Sequence, residues 1–331
     1  MTTGGSVAGA SLWGRVARLA PLLLVLLVLP WLIPPYQTIL LSYGLAFAIA
    51  ALAFNLLLGY TGLLSFGHSA YFGVGAYSVA FLVKYLHVAS MELHLVGGIA
   101  ASALVSLLFG LVCVRYTRIF FAMLTMALSQ VLWSLAFKFY WVTGGTDGLR
   151  VSTPTLLGVV GGPAADKIGF LAHAYYYFVL VVFLLCVALL WLILHSPFGM
   201  ALQAIRDNET RAEFVGIRVR RYRLLAFVLS GTFTGIAGAL WAPLNGLVVP
   251  DILYWPFSGR IVFMTVLGGF RTFAGPIVGA VVFNYLETYA IGSTTYWQLV
   301  LGVVLVGLVL VMPAGIVGTL GRLLPRARRV G

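Results

Sequence analysis

The sequence predicts an all-α polytopic membrane protein with about ten membrane-spanning helices, and three observations support this fold class. Of its 331 residues, 62% are hydrophobic and only 8% are charged, whereas a soluble domain typically carries about 25% charged residues. Residues 19–83 contain no Asp, Glu, Lys or Arg, which is enough chain for about three spans of ~20 residues each. The 20 basic residues outnumber the 8 acidic ones and gather in patches. This composition excludes a soluble enzyme, a nucleic-acid-binding protein and a disordered chain.

Ten apolar segments, separated by charged residues and by Gly and Pro, account for most of the chain. They are predicted at residues 15–33, 36–59, 62–86, 93–114, 118–141, 174–195, 224–247, 256–270, 275–291 and 296–313. The basic patches lie at Arg15 and Arg18, at Arg115 and Arg118, from Arg206 to Arg223, and from Arg322 to Arg329. Basic residues favour the cytoplasmic side of a membrane, and ten crossings that begin inside place all four patches there. Both termini are therefore expected in the cytoplasm, with some of the helices discontinuous.

The domain organisation follows from this count. A single transmembrane domain is expected over residues 1–331, and it leaves four segments outside the membrane. These are an N-terminal cytoplasmic tail at 1–14, an extracytoplasmic loop at 143–172, a cytoplasmic loop at 196–223 and a basic cytoplasmic tail at 318–331. The first apolar segment lacks a small-residue cleavage site, so it is interpreted as a retained span.

Two stretches interrupt the apolar pattern in a similar way. Gly59–Ser69 and Gly268–Pro276 each contain Gly-x-x-Ser/Thr-Phe followed by a small residue, at Gly62 and at Gly269. Paired Gly/Pro interruptions in the two halves of a membrane protein are typical of discontinuous helices beside a transport pathway. The candidate pathway residues are Asn55, Gly59, Gly62, Ser65, Gly67, His68, Gly268 and Gly269. Two glycine-rich turns, with His68 as a packed and hydrogen-bonded side chain, remain an open alternative.

The stretch from Ser196 to Arg223 is the longest predicted cytoplasmic connection. Ser196 followed by Pro197 is typical of a helix start, and Gly216 is typical of a left-handed helix stop. One helix is therefore expected between Ser196 and Gly216, either as a docking helix or as a solvated linker. Its candidate docking residues are Ser196, Pro197, Arg206, Asp207, Glu209, Glu213 and Gly216.

A glycine-rich turn marks the predicted extracytoplasmic loop. It consists of Gly144, Gly145, Thr146, Asp147 and Gly148. Its three glycines permit positive φ angles, and Asp147 is expected to accept hydrogen bonds from nearby backbone amides. A role at an outer gate and a purely structural turn are both compatible with this pattern.

Several chemistries are absent from the sequence. It has no Gly-x4-Gly-Lys-Ser/Thr phosphate-binding loop, no His-Glu-x-x-His zinc motif and no nucleophile elbow. No metal site and no cofactor are expected. Arg260 and Glu287 are the only base and acid expected at depth within spans, and both are placed to snorkel. A path lined by neutral polar groups suits a solute without net charge.

The order of several motifs carries a resemblance to a known family. The stretches are Asn55–His68, Thr143–Gly148, Ser196–Gly199 with Ala204–Asn208, Gly216–Tyr222, Leu225–Ser230, and Val266–Gly269 with Gly275-Pro276. Over roughly residues 36–320 the chain resembles the LivM-like permeases of branched-chain amino-acid ABC importers. It departs from that pattern at Leu63, where many relatives carry Gln, and at Arg260 and Arg271.

The resemblance implies a ten-helix permease of a bacterial inner membrane that is not an enzyme and needs no cofactor. It implies Leu, Ile or Val as solute. The implied partners are two cytosolic ATP-binding subunits, a second homologous permease and an extracytoplasmic solute-binding protein, which meets the 144–148 turn, with no nucleic acid. The alternatives are a permease of the same architecture for urea, short-chain amides or other amino acids, a stand-alone carrier, and an intramembrane enzyme that uses His68.

Overall fold

The computed structural model describes residues 24–116, 118–156, 158, 160–161 and 166–323. The predicted tail at 1–14, the beginning of the first apolar segment at 15–23 and the end of the basic tail at 324–331 lie outside the described residues. Residues 24–32 are helical. The helices that follow are α1 (Pro35–Thr61), α2 (His68–Leu86), α3 (Met91–Cys113), α4 (Arg118–Lys138), α5 (Tyr140–Thr143), α6 (Lys167–Ala172), α7 (Ala174–His195), α8 (Pro197–Asp207), α9 (Glu209–Phe214), α10 (Val219–Asn245), α11 (Trp255–Gly268), α12 (Gly275–Ser293), α13 (Trp297–Val311) and α14 (Gly315–Leu323).

The described residues form a mostly helical protein that crosses a membrane several times. Six stretches are long and apolar enough to cross on their own: Pro35–Thr61, Met91–Cys113, Ile119–Lys138, Lys167–His195, Val219–Asn245 and Trp297–Gly321. Three further helices coincide with predicted segments, but their length and composition do not by themselves mark them as membrane spans. Helix α11 has only 14 residues, and the 19-residue helices α2 and α12 carry polar side chains such as His68 and Glu287.

Two predicted boundaries are wrong by several residues. Helix α2 begins at His68 and not at residue 62, because residues 62–67 connect it to α1 without helical structure. Helix α10 begins at Val219 and not at residue 224. Arginine favours a helix and extends its charged head away from an apolar stem, so a basic cluster does not exclude a helical start. The connection between α7 and α10 is therefore residues 196–218, called here the basic loop.

Helix α1 lies at the centre of the protein. Of its most apolar stretch, 89% of the residues are buried inside the protein, against 72% for α10 and 22% each for α3 and α4. A helix that is apolar on every side is stable where protein or lipid covers all its faces, and here protein covers most of α1. The other helices accordingly surround α1 and α10, and their outward faces present exposed apolar residues such as Leu104, Met123 and Val303.

Small residues allow α3 and α10 to approach closely. On α10, a Cβ added at Gly231 or at Gly235 would collide with the side chain of Ser106 or Ser102 on α3. Small residues four positions apart let two helix backbones come together, since no side chain separates them. Gly231 and Gly235 therefore allow the backbone of α10 to lie directly against α3.

The all-α prediction misses two short antiparallel strand pairs. Strand β1 (Leu149–Arg150) pairs with β4 (Leu247–Val248), and β2 (Thr155–Leu156) pairs with β3 (Val160–Gly161). Each strand has only two residues, too few to show the alternating pattern by which strands are recognised in a sequence. The first pair joins the end of α10 to the glycine-rich turn at 144–148.

Candidate functional site

The first interruption is the connection between α1 and α2. Gly62 ends α1 in the left-handed conformation, with φ +74°, which glycine adopts without the steric cost of a Cβ. The amides of Gly62 and Leu63 both donate to the Leu57 carbonyl and close the last turn. The chain then runs through residues 63–67 without helical structure. The helix interruption predicted at Gly62 is confirmed.

This connection packs against α4 at Thr125. The amide of Phe66 donates to Thr125 Oγ1 at 3.2 Å, and a Cβ added at Gly67 would lie 2.9 Å from the Thr125 carbonyl oxygen. Ser65 is fully buried and accepts from the Gly67 amide at 3.3 Å. Residues 65–67 are thus held by hydrogen bonds inside the protein and are not a solvated turn.

His68 is the first residue of α2 and is completely buried. Its Nε2 lies 2.8 Å from Ser230 Oγ, whose hydroxyl donates to the Ala53 carbonyl at 2.6 Å. Because the Ser230 proton is committed to Ala53, Nε2 of His68 is the donor in the first bond. The imidazole also packs edge-on against Phe54 at 4.9 Å. His68 therefore joins α1, α2 and α10.

A pair of serines ties the next residue of α2 to α11. The amide of Ser69 donates to Ser258 Oγ at 2.8 Å, and Ser258 Oγ donates in turn to Ser69 Oγ at 2.9 Å. Both side chains are fully buried. Hydrogen bonds between helices are favourable where no water can replace them, so this pair fixes α11 beside the start of α2.

The second interruption is the connection between α11 and α12. Helix α11 ends at Gly268, and Gly269 has φ +109°. A Cβ at Gly268 would overlap the Gly275 carbonyl oxygen, so the end of α11 and the start of α12 touch backbone to backbone. Thr272 Oγ1 accepts from the Gly275 amide at 3.1 Å and helps to start α12.

The two interruptions meet at the end of α1. Asn55 Nδ2 donates to the Thr272 carbonyl at 3.5 Å, and a Cβ at Gly59 would lie 2.5 Å from the Phe270 carbonyl oxygen. Asn55, Gly59, Phe270 and Thr272 are called here the junction. Asn55 is 1% exposed and its Oδ1 has no hydrogen-bond partner.

The predicted pathway residues thus separate into two groups. Asn55 and Gly59 lie in the junction, and Gly62 and Gly269 lie next to it in sequence and in space. Ser65, Gly67 and His68 lie instead against α4 and α10, and Gly268 lies between α11 and α12.

The basic loop contains two helices, so the single helix predicted from Ser196 to Gly216 is wrong. Helix α8 ends at Asp207, and Asn208 Oδ1 accepts from the Arg211 amide at 2.9 Å to cap α9. Ser196 precedes α8 but does not cap it, because its hydroxyl donates backwards to the Ile193 carbonyl at 2.6 Å. Pro197 occupies the first turn as expected, and Gly216 has φ +91°, which confirms the predicted left-handed stop.

A bidentate ion pair fastens α9 to α10. Arg223 Nη1 and Nη2 donate to Glu209 Oε1 and Oε2 at 2.7 and 2.8 Å. The Arg223 side chain is 7% exposed and that of Glu209 is 42% exposed. Both oxygens of Glu209, a candidate docking residue, therefore accept hydrogen bonds from Arg223 within the chain.

A second arginine connects the basic loop to α1. Arg206 Nη1 donates to the Gly59 carbonyl at 2.5 Å, while Nε and Nη2 both donate to Asp207 Oδ1 at 3.1 and 3.0 Å. A Cβ at Gly62 would lie 2.9 Å from Arg206 Cγ. Arg206 thus reaches inward to the interruption, although the sequence places it among residues that face a partner.

The two most exposed apolar residues of the basic loop lie at the end of α9, while Met200 on α8 is 61% exposed. Phe214 is 87% exposed and Val215 is 77% exposed, and the two are called here the docking tip. Ile205 and Ala212 are instead buried against Val219 and join α8, α9 and α10. Glu213, on the last turn of α9, is exposed.

The glycine-rich turn at 144–148 has the backbone that its sequence predicts. Gly144, Gly145 and Gly148 all have positive φ, at +75°, +47° and +68°. Among the described residues, the hydrogen bond to the Asp147 side chain comes from Tyr140 Oη, which donates to its Oδ2 at 2.5 Å, and not from the backbone amides that were expected. This bond to a carboxylate raises the pKa of Tyr140. Thr146 is exposed at the tip of the turn.

Arg260 and Glu287 form an ion pair between α11 and α12 and do not extend separately to the membrane surface. Glu287 is 7% exposed, and the Arg260 guanidinium also lies over the rings of Phe47 and Phe257, at 5.6 and 5.3 Å. Intramembrane charges are stable when they neutralise one another. Arg271 is exposed and lies over the ring of Phe270 at 5.9 Å.

Sequence reasoning did not identify several residues that build the site. These are Thr125, Arg223, Ser230, Ser258 and Thr272. The available signal was their polarity within apolar helices or at helix ends, which predicts a hydrogen-bond partner but not which one. Among the described residues, no cluster of His, Cys, Asp and Glu is arranged to hold a metal ion.

Comparison with known proteins finds similarity to transport permeases over most of the chain. Residues 37–309 match the family described as branched-chain amino acid transport system / permease component. The high-affinity branched-chain amino acid transport system permease protein LivM of Escherichia coli is 26% identical over 314 residues, covering 90% of this chain and 74% of LivM. The corresponding LivH of Escherichia coli is 23% identical over 305 residues, covering 84% of this chain and 92% of LivH.

A relative that is named for a different solute is also similar. The autoinducer 2 import system permease protein LsrC of Yersinia pseudotuberculosis is 28% identical over 240 residues, covering 66% of this chain and 63% of LsrC. No solved structure matches this chain. Because the family match covers well over half of the sequence, in agreement with the helical membrane fold, the chain belongs to the family of permease components of branched-chain amino-acid transport systems.

Proposed function

We propose that this chain is the permease subunit of an ABC importer that carries leucine, isoleucine or valine across a bacterial inner membrane. The observation that carries the proposal is the family match over residues 37–309. The LivM and LivH relatives, whose names specify branched-chain amino-acid transport, support the solute. The chain provides a path and hydrolyses nothing itself, which is consistent with the lack of a phosphate-binding loop in its sequence.

The proposed assembly contains two cytosolic ATP-binding subunits, a second homologous permease and an extracytoplasmic solute-binding protein. Work from ATP then enters this chain by contact with another subunit, and the basic loop is the proposed place of contact. Its docking tip supports this role, because two large apolar side chains lie exposed beside Arg211, Glu213 and Arg218. An exposed apolar anchor with a charged rim is typical of a protein interface.

The proposed path passes the junction. An interrupted backbone within a membrane is stable only against protein or beside a water-filled cavity, and at the junction the second interruption lies against the last turns of α1. The Asn55 amide, with its unpartnered Oδ1, and the Phe270 and Thr272 carbonyls supply neutral polar groups of the kind that suits a zwitterionic amino acid. In this conformation they contact one another, so we assign the junction to a closed gate on the cytoplasmic side.

Reconstituted transport tests the proposed function directly. The chain is combined in proteoliposomes with its ATPases, second permease and candidate binding proteins, and uptake of labelled leucine and of labelled urea is measured. We expect ATP-dependent leucine uptake that requires the binding protein, and no urea uptake. Urea uptake without leucine uptake contradicts the proposed solute, and leucine uptake that persists without ATP contradicts the proposed class.

The proposed topology has ten spans with both termini in the cytoplasm. It counts helix 24–32, α1–α4, α7 and α10–α13 as spans, so that the basic loop lies inside and the 144–148 turn lies outside. Cys113 and Cys186 are buried and are therefore poor targets for an aqueous thiol reagent. Labelling of a variant with one added cysteine then reports on the added cysteine alone.

Cysteine labelling tests this orientation at two exposed positions. In sealed cells, Thr146→Cys is expected to react with a membrane-impermeant maleimide, and Asn208→Cys only after the cells are opened. Because both positions are exposed on the protein surface, any difference in their labelling reports the side of the membrane on which each one lies. The opposite pattern inverts the topology, and labelling of both variants in sealed cells contradicts the span count between them.

A further inference from the structure

We propose that Arg206 is the positioning residue that transmits movement of the basic loop to the junction, where it holds the end of α1. This inference rests on the proposed function, because it assumes an ATPase that moves the loop. It assigns to Arg206 a contact within the permease, and not one with the ATPase. The contact is the hydrogen bond from Nη1 to the Gly59 carbonyl.

The guanidinium is fixed on two sides. Asp207 Oδ1 accepts from both Nε and Nη2, which orients the plane of the group and leaves Nη1 for Gly59. The aliphatic part of Arg206 lies against Gly62, where even a Cβ would come within 2.9 Å of Cγ. The side chain therefore holds both the last turn of α1 and the residue at which α1 stops.

The accepting carbonyl is one that the helix cannot satisfy. Helix α1 ends at Thr61, and the last four carbonyls of a helix, including that of Gly59, have no partner within the helix. They also carry the negative end of the helix dipole, which attracts a cation. An arginine is suited to this position, because its planar fork binds a carboxylate and a carbonyl at the same time.

Arg206 lies between the two regions that the proposed mechanism has to connect. On one side, α8 and α9 pack together through Ile205 and Ala212 and carry the docking tip. On the other side, Gly59 touches Phe270 of the second interruption. Among the described residues, the Arg206–Gly59 bond is the only side-chain hydrogen bond from the basic loop to either interruption. A displacement of the loop therefore reaches the end of α1 through this hydrogen bond, in addition to the packing of α8 against α1.

The test measures solute uptake per ATP hydrolysed in the reconstituted complex. Arg206→Ala is expected to keep ATPase co-purification and basal hydrolysis but to lower uptake per ATP about tenfold, as expected for losing one charge-assisted hydrogen bond. Arg206→Lys is expected to recover part of the lost uptake per ATP, because lysine keeps the positive charge but lacks the planar guanidinium. Arg221→Ala is the matched control and is expected to match wild type, because Arg221 is exposed and its side chain makes no hydrogen bond within the part of the chain that the structure describes.

Two further variants separate this inference from the proposed function. Phe214→Ser is expected to lose the ATPase, while Arg206→Ala retains it. Asp207→Asn leaves Arg206 in place but weakens its orientation, so a smaller loss in the same direction is expected even if Arg206→Ala fails to insert. Hydrogen exchange of amides 59–67, measured on the permease alone, is expected to rise in Arg206→Ala and not in Arg221→Ala.

The outcomes are distinct. Wild-type uptake per ATP in Arg206→Ala, or unchanged exchange at 59–67, overturns the assignment. Loss of the ATPase in step with uptake in Arg206→Ala also overturns it, because Arg206 would then bind the partner. If wild type itself shows no ATP-dependent uptake, the proposed function fails, and the exchange measurement still decides whether Arg206 holds the end of α1.

Discussion

The Gly268→Val variant is expected to lose both its folded state and transport, whereas Gly259→Val on the same helix is expected to retain both. A Cβ at Gly268 would overlap the Gly275 carbonyl oxygen and lie 2.9 Å from the Gly279 amide nitrogen. These are backbone atoms, which cannot turn aside as a flexible side chain can, so α11 and α12 would have to separate. Overpacking typically costs about 1–3 kcal/mol even where side chains are able to adjust, and a larger loss is expected here.

Gly259 is the matched control because nothing lies within 4 Å of the position of its Cβ. Both substitutions replace a helical glycine by valine, so their intrinsic effects on the helix are similar. The measurement is the thermal unfolding and size-exclusion profile of each purified variant. Equal melting temperatures for Gly268→Val and Gly259→Val would contradict the backbone contact between α11 and α12.

The Glu209→Ala variant is expected to destabilise the basic loop by about 2–3 kcal/mol. It leaves the Arg223 guanidinium, 7% exposed, without its carboxylate. Breaking a fully buried ion pair costs about 3–5 kcal/mol, and the 42% exposure of Glu209 reduces this because water reaches the site. Glu213→Ala, which removes an exposed carboxylate one turn further along α9, is expected to change stability by less than about 0.5 kcal/mol.

Comparison with Arg223→Met tests whether the loss of stability in Glu209→Ala comes from the buried charge that is left unpaired. That variant keeps most of the buried volume and leaves no buried charge, and Glu209 is free to turn toward water, so a smaller loss is expected. Hydrogen exchange across residues 197–218 measures the local stability of each variant, and the double variant gives the coupling energy. A coupling energy near zero would show that the two side chains do not stabilise each other.

Much of the fold follows from local sequence. Helix α7 has the bounds predicted from its apolar run, residues 174–195, because that run has polar or charged residues at both ends. Gly216 is left-handed as predicted, since a glycine directly after a helical run is typical of a helix stop. These features depend on the preference of each residue and its immediate neighbours for water, lipid or a particular backbone conformation.

The connections across the site could not be predicted in the same way. Arg206 and Gly59 are 147 positions apart in the chain, and Asn55 and Thr272 are 217 apart. An arginine within a basic cluster has the same neighbours in the sequence whether its side chain contacts solvent, a partner protein or the end of another helix. The error at Ser196 is of this kind, because a serine hydroxyl can cap the next helix or bond to the preceding one. Only the packing of the helices decides between them.

The burial of α1 also constrains how the protein is made. Helix α1 is apolar enough to enter a bilayer alone as it leaves the ribosome, yet in the finished fold 89% of its most apolar stretch is hidden from lipid. Helix α11, with 14 residues and a length of about 21 Å, is shorter than the ~30 Å hydrocarbon core. It is stable at its depth only when it meets protein already in place, including α1 through Thr265 and α2 through Ser258. Biogenesis is therefore ordered along the chain: an early helix enters surrounded by lipid, and later segments replace that lipid as they are synthesised.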